Sequence, residues 1–213
     1  MTKTGLILRD VSLSIGGRTL LHGLSLEIAP GEIVTLMGES GSGKSSLIAY
    51  ICGSLDTEFS ANGSITLEGQ DIGSLPIERR RIGVMFQDDV LFAHMSVGEN
   101  LAFAVPQGIA KAERLRRIRE ALIEAELEGF ADRDPATLSG GQKARVALMR
   151  ALLAEPRAML LDEPFSKLDT TLRERVRNFT FTTIERRNIP ALLVTHDLND
   201  KSGNVIILRS SNS

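Results

Sequence analysis

The sequence predicts an α/β protein whose sheet is mostly parallel. Nearly continuous apolar runs occur along the chain at 32–37, 158–161 and 191–195. Such runs are typical of strands that are buried on both faces of a sheet. Segments with helical spacing lie between them, and strands that alternate with helices favour a parallel sheet. A length of 213 residues fits one domain with a core that needs no disulfide or structural metal.

The composition excludes several classes of protein. Hydrophobic residues make up 42% and charged residues 24% of the chain, which excludes bulk disorder. The net charge of −2 argues against nucleic-acid binding by bulk electrostatics. A single cysteine, Cys52, excludes a disulfide framework and a cysteine-rich zinc site. No apolar run approaches the ~20 residues of a membrane-spanning helix, and no signal-peptide core begins the chain. We therefore expect a cytosolic protein.

The remaining elements follow from hydrophobic periodicity. Alternating or apolar segments indicate further strands at 6–11, 24–28, 64–67 and 82–86. Helical spacing extends over 45–52, 97–127 and 170–187. Within the second of these segments, Leu115, Ile118 and Leu122 are expected to share the buried face. The mainly helical stretch 90–156 interrupts the strands, so we expect it to be a lobe inserted into a core formed by 1–89 and 157–213.

A glycine-rich loop provides the first chemical signal. Residues 38–45, GESGSGKS, fit the phosphate-loop pattern G-x-x-x-x-G-K-[ST] between a strand and a helix. Glycine can adopt backbone angles that let consecutive amide groups of the loop point at one bound phosphate group. The positive N-terminal end of the following helix also attracts the phosphate. We expect Lys44 to reach the β and γ phosphates and Ser45 to bind Mg²⁺. The alternative is a flexible turn, which the strand–loop–helix context disfavours. The candidate ATP-binding residues are Gly38, Glu39, Ser40, Gly41, Ser42, Gly43, Lys44, Ser45 and Ser46.

A pair of carboxylates complements this loop. Asp162 and Glu163 end the apolar run at 158–161, and α/β proteins bind ligands at the carboxyl ends of their strands. Asp162 is therefore a candidate for the Mg²⁺ coordination shell. Glu163 is the candidate general base for a water that attacks the γ phosphate. A solvated acidic pair is the alternative, and it is disfavoured by the phosphate loop in the same chain.

Five motifs in order resemble those of the ATP-binding cassette (ABC) ATPases. The pentapeptide LSGGQ at 138–142 is similar to the family's signature motif. Gln87 follows a predicted strand as the family's Q-loop glutamine does, and His196 resembles the switch histidine. Ser166 and Asp169 match the D-loop after the acidic pair. The resemblance spans about residues 5 to 208. It implies a P-loop NTPase fold with a RecA-like core sheet, an N-terminal antiparallel β subdomain and an inserted helical lobe.

The resemblance also implies how these residues act. Glu163, His196 and Gln87 are the implied catalytic residues, and Ser45, Gln87 and Asp162 the implied Mg²⁺ ligands. The family works as a head-to-tail dimer in which the signature motif of one subunit closes on the ATP of the other. That role falls here to Leu138, Ser139, Gly140, Gly141 and Gln142.

One departure from the family concerns the adenine base. The family usually has an aromatic residue about two dozen positions before the phosphate loop, where this chain reads LSIGG at 13–17. Ile15 is therefore the expected base contact, which implies weak discrimination between ATP and GTP. The alternative is that Arg18 or a residue of a partner chain covers the base. Lys167 is a second departure, because alanine is common at this D-loop position.

Among functions that use this fold, a transporter subunit is favoured. A DNA-repair ATPase would need a long coiled coil, and a translation factor would need two cassettes in one chain. The sequence resembles the ATPase subunits of bacterial importers of small nutrients, with an exporter or lipoprotein-release ATPase as the alternative. The implied partners are a second copy, integral membrane subunits and a solute-binding protein, with no nucleic acid. The implied location is the cytoplasmic face of the membrane. The transported solute is not encoded in an ATPase subunit.

Overall fold

The computed structural model describes residues 5–39, 41–88 and 90–208. The elements in chain order are β1 (Leu6–Ile15), β2 (Arg18–Ile28), β3 (Ile33–Gly38), α1 (Lys44–Cys52), β4 (Phe59–Leu67), β5 (Gln70–Asp71), β6 (Ile82–Met85), α2 (Val97–Ala104), α3 (Lys111–Glu124), α4 (Gly140–Leu153), β7 (Ala158–Asp162), α5 (Thr170–Arg186), β8 (Ala191–Val194) and β9 (Val205–Leu208). No helix in these ranges is long and apolar enough to cross a membrane.

The chain divides into two compact units. The first comprises Met1–Ile82, Arg157–Glu163 and Thr183–Ser213, and the second comprises Gly83–Pro156 and Pro164–Thr182. The second unit thus takes in residues 83–89 and 164–182, which the sequence-based division assigned to the core. The division into a core and an inserted lobe remains a proposal.

The first unit contains an antiparallel sheet with the strand order β2-β1-β4-β5. Leu6 pairs with Ile28 and Leu8 with Leu26, so the apolar residues of β1 and β2 face the same side and are buried. Gly16 and Gly17 join these strands with positive φ angles of 54° and 80°, the conformation that a two-residue hairpin requires. This pairing confirms the antiparallel β portion of the predicted fold.

The first unit also contains a parallel sheet, in which β7, β8, β3 and β9 follow one another. Residues 33–37, 158–161 and 191–194 are all buried. This arrangement confirms the prediction that the continuous apolar runs form strands covered on both faces. The carboxyl ends of β3, β7 and β8 lie side by side because the strands are parallel.

Arg80 binds the C-terminal end of α1. Its guanidinium is buried and donates to the carbonyl oxygens of Tyr50, Ile51, Gly73 and Leu75, at 2.7, 3.0, 2.7 and 2.8 Å. Burial lowers the pKa of this guanidinium from its ordinary value. Two of these carbonyls belong to the last turn of α1, so the cation also lies at the negative end of the helix dipole.

We expect Arg80→Ala to lower the free energy of unfolding by about 2 kcal/mol, because it leaves one buried and three partly buried carbonyl oxygens without their donor. The neighbouring Arg79 is exposed, and Arg79→Ala should change stability by less than about 0.5 kcal/mol. Urea denaturation of both variants measures the difference. Equal stabilities would show that solvent replaces the lost donors.

The second unit is mainly helical. Helices α2, α3 and α4 pack on one another, and the predicted helical segment 97–127 is broken at Val105, whose extended ψ of 129° precedes Pro106. On α3, Ile118 and Leu122 are buried as expected, but Leu115 is 57% exposed. Arg114 takes the inward position instead, since its guanidinium donates to the carbonyl of Ala102 at 2.8 Å.

Candidate nucleotide-binding site

The first unit contains a cavity of about 710 Å³ at the carboxyl ends of β3 and β7. Ligand pockets typically have volumes of about 300–1,000 Å³. The cavity brings phosphate-loop residues together with residues that follow β7 and β8, far apart in sequence. Its lining comprises Arg18, Leu20, Gly38, Glu39, Gly41, Gly43, Lys44, Ser45, Ser46, Glu163 and His196.

The phosphate loop connects β3 to α1. Gly41 and Gly43 have φ angles of 81° and 87°, which a side chain would strain. Lys44 is 8% exposed, and its Nζ donates to the carbonyl oxygens of Gly38 and Glu39, at 2.7 Å each. The ammonium is thus held at the centre of the loop, where it can neutralise phosphate charge. Ser40 lies outside the described residues.

Ser42 belongs to the loop but does not line the cavity. Its hydroxyl is buried, and the described part of the chain supplies it with no hydrogen-bond partner. A Cβ atom on Gly38 would lie 2.7 Å from this hydroxyl. Glycine at position 38 therefore allows the end of β3 to approach the loop closely.

The acidic pair follows β7. Asp162 lies beside Val194 of β8, and burial raises the pKa of its carboxyl, with a further increase from Glu163 and an opposing effect from Lys44. Glu163 has a φ of 46°, a conformation that is unusual for a non-glycine residue and common at functional sites. Its amide donates to the Val194 carbonyl at 2.9 Å.

His196 and Glu163 meet at the cavity. Nδ1 of His196 lies 3.0 Å from Oε1 of Glu163. The His196 side chain is 63% exposed and that of Glu163 is 24% exposed, so solvent and a ligand can reach both. The loop that carries His196 is tied back by Thr195, whose buried hydroxyl accepts from the amide of Asp197 at 3.1 Å. The arrangement can therefore orient a water molecule beside a carboxylate base.

The signature pentapeptide lies in the second unit, at the start of α4. Ser139 is the N-cap, and its hydroxyl and the Gln142 side chain form a capping box. A Cβ atom on Gly141 would lie 2.4 Å from a methyl carbon of Leu172, and one on Gly140 would lie 3.3 Å from Leu168. The two glycines therefore allow the start of α4 to pack closely against Leu168, which precedes α5, and against Leu172 in the first turn of α5. Leu138 is buried.

The D-loop candidates and Gln87 also belong to the second unit. Asp169 accepts from the amide of Leu172 at 3.1 Å in the first turn of α5. Gln87 is exposed, and the next residue, Asp88, forms an ion pair with Lys167. Lys167, which replaces the alanine common at this position, is thus paired with the residue that follows Gln87. Ser166 lies between Phe165 and this lysine.

Ile15 does not line the cavity. It is half-buried at the end of β1, where it pairs with Arg18 on one side and Phe59 on the other. Arg18 and Leu20 of β2 line the cavity instead. Leu20 was missed by the sequence reasoning, although the two-residue period of a strand places it on the same face as Arg18.

Comparisons with known proteins give a consistent result. The chain matches the family described as "ABC transporter" over residues 21–166. It is 47% identical over 195 residues to the ABC transporter ATP-binding protein YnjD of Escherichia coli, which covers 92% of this chain and 90% of that protein. It is 39% identical to the Fe(3+) ions import ATP-binding protein FbpC of Escherichia coli, over 91% of this chain and 55% of FbpC. It is 42% identical to the sulfate/thiosulfate import ATP-binding protein CysA of Methylococcus capsulatus, over 89% of this chain and 55% of CysA. The chain therefore spans about half the length of these two import proteins.

Solved structures agree with the sequence relatives. The dimeric, post-hydrolysis structure of the ATP-binding cassette MJ0796 with ADP and Pi matches with a TM-score of 0.77 and 32% identity, over 96% of this chain and 94% of that chain. The cbiO1 protein of Clostridium perfringens, part of the ABC transporter complex cbiONQ, matches with a TM-score of 0.87 and 29% identity, over 97% and 85%.

Proposed function

Because this chain belongs to the ABC transporter family, we propose that it is the ATPase subunit that powers a membrane importer of a small solute. The observation that carries the proposal is that Lys44 and other residues of the phosphate loop line the same cavity as Glu163 and His196. Phosphate-binding groups and a base beside an orienting histidine are the parts that hydrolysis of a nucleoside triphosphate requires.

We assign the chemical roles as follows. Lys44 and the amides of the loop bind the β and γ phosphates. Glu163 accepts a proton from the attacking water, and His196 positions that water and donates to the γ phosphate. The 3.0 Å contact between His196 and Glu163 supports this assignment.

The donor set also fits Mg²⁺. Ser45 supplies a hydroxyl and Asp162 a carboxylate, and Mg²⁺ is usually held by one or two carboxylates together with substrate phosphates. Within residues 5–39, 41–88 and 90–208 no group of three or more His, Cys, Asp or Glu side chains could hold a metal alone. The phosphates of ATP would therefore complete the shell. Bound Mg²⁺ would neutralise charge on the phosphates.

A second copy of the chain is proposed to complete each site. Ser139 and Gly140 are exposed residues at the N-terminus of α4, and the positive end of a helix can attract a phosphate of the partner's ATP. The similarity to a dimeric cassette that binds ADP and Pi supports this assembly.

The import direction rests on the relatives. FbpC is named for import of Fe(3+) ions and CysA for import of sulfate and thiosulfate. We therefore propose integral membrane subunits and a solute-binding protein as partners, and a location at the cytoplasmic face of the membrane.

The segment 88–100 is proposed to transmit the ATPase cycle to the membrane subunits. Within this segment, residues 92–96 are held by hydrogen bonds with Asn100, whose side chain is 0% exposed. The Asn100 amide donates to the carbonyls of Phe92, Met95 and Ser96, at 3.1, 3.2 and 3.0 Å, and its oxygen accepts from the Phe92 amide at 2.8 Å. A rigid loop can transmit force between proteins, whereas a flexible one would absorb it.

We expect Met95→Lys to abolish solute uptake in vesicles that contain the chain and its membrane subunits. Hydrolysis by the soluble chain should persist, because Met95 does not line the nucleotide cavity. Ile123→Lys, at a 50% exposed position on α3, is the matched control and should retain both activities. Equal loss of uptake and soluble hydrolysis in Met95→Lys would show that the loop is only structural.

A further inference from the structure

Arg18 and Leu20 of β2 line the nucleotide cavity. We infer that these two side chains hold the base of the nucleotide. The Arg18 guanidinium covers the face of the base and Leu20 supports its edge, so the site accepts purine nucleoside triphosphates with little preference between adenine and guanine. This inference rests on the proposed function, because it assumes that the phosphate loop binds the triphosphate of the same molecule.

The two residues are placed next to the phosphate loop by the hairpin. Both line the cavity together with Gly43 and Lys44. A Cβ atom on Gly43 would lie only 3.3 Å from the Cβ of Leu20, so β2 passes directly beside the start of α1. A nucleotide whose phosphates occupy the loop therefore has its sugar and base within reach of β2.

The Arg18 guanidinium is available for a ligand. Its side chain is exposed, and it forms no ion pair or side-chain hydrogen bond with any residue that the structure describes. A guanidinium is planar, weakly hydrated for a cation, and stacks on aromatic faces. The hairpin that carries it is closed by Gly16 and Gly17 and paired through Ile15 and Arg18, so the backbone of Arg18 is already ordered before a ligand binds.

Stacking explains the expected specificity. Every base presents a π face, so a stacked cation discriminates poorly between bases that have the same ring size. The lining contains no Phe or Tyr, so no aromatic ring of the described chain competes with Arg18 for the base. A purine offers a larger face than a pyrimidine, so ATP and GTP should bind similarly and CTP more weakly.

The test is calorimetric titration of the full chain with ATP, GTP, CTP and inorganic tripolyphosphate. Arg18→Ala should weaken ATP and GTP about threefold to tenfold, as expected for loss of a partly solvated cation–π contact. It should leave tripolyphosphate affinity unchanged. Arg18→Lys keeps the charge but loses the planar guanidinium that stacks on the base, so it should recover at most part of the affinity for ATP and GTP that Arg18→Ala loses. Arg9→Ala is the matched control, because Arg9 is an exposed arginine of β1 outside the cavity lining.

Each of four results would overturn the inference. An equal loss of tripolyphosphate affinity, rescued by Arg18→Lys, would show that Arg18 binds phosphate rather than the base. Unchanged ATP affinity in Arg18→Ala, or tighter binding in Ile15→Tyr with no effect at Arg18, would place the base elsewhere. A strong preference of the wild type for ATP over GTP would indicate hydrogen bonds to the edge of the base. In contrast, failure of the wild type to bind either ATP or tripolyphosphate would overturn the proposed function itself.

Discussion

Replacing Glu163 with glutamine is expected to lower the rate of ATP hydrolysis by about 100- to 10,000-fold, the usual contribution of a general base. The amide has nearly the same shape as the carboxylate and can still accept a hydrogen bond from His196, which lies 3.0 Å away. It cannot accept a proton from water. ATP affinity should therefore change little, since the phosphate loop is untouched.

The measurement is phosphate release at saturating Mg²⁺-ATP, with affinity measured separately by titration. Glu27→Gln is the matched control, because Glu27 is an exposed carboxylate of β2 in the same unit and does not line the cavity. The assignment of Glu163 as the base fails if its variant hydrolyses ATP at the wild-type rate. Chelation of Mg²⁺ should abolish hydrolysis in the wild type.

Replacing Ser139 with arginine is expected to abolish hydrolysis while sparing the binding of ATP to the monomer. Ser139 begins α4 in the second unit and does not line the cavity, so its proposed contact is with ATP held by a partner subunit. A bulky cation there would block the approach of the partner. Light scattering should show an ATP-dependent doubling of mass for Glu163→Gln, and no doubling when Ser139→Arg is added.

Ser96→Arg separates this effect from a loss of helix capping. Ser96 caps α2 with the same kind of capping box, completed by Glu99, and losing either cap should cost about 1 kcal/mol of stability. Hydrolysis by the soluble chain should survive Ser96→Arg. If both arginine variants lost hydrolysis equally, destabilisation of the helical unit would explain the result. If the mass stayed constant across an ATP titration of Glu163→Gln, the dimer proposal would fail.

The amino-acid sequence alone determined the class of fold and the chemistry of the loop. The buried strands β3, β7 and β8 were predictable because a strand covered on both faces must be apolar at every position. The phosphate loop was predictable because its glycines, lysine and serine are adjacent in the chain, so that one local pattern encodes the whole cradle.

Contacts between distant segments were decided only by the tertiary structure. Arg114 faces inward because its guanidinium donates to the carbonyl oxygen of Ala102 at the end of α2. Helical periodicity considers only the residues of α3 and therefore predicted that the apolar Leu115 would be buried. Arg80 was hidden for the same reason, because a buried cation that binds only backbone carbonyls has no partner visible in the sequence. Leu20 lines the cavity because of how the β1–β2 hairpin lies beside the phosphate loop.

The candidate catalytic pair combines both kinds of information. The sequence identified Glu163 and His196 by motif, but 33 positions separate them (196 − 163). They meet at 3.0 Å because β7 and β8 are adjacent and parallel, so the residues that follow both strands emerge at the same edge of the sheet. Local patterns can be recognised along the chain because their residues are neighbours in sequence, whereas the register of two strands depends on packing across the whole unit.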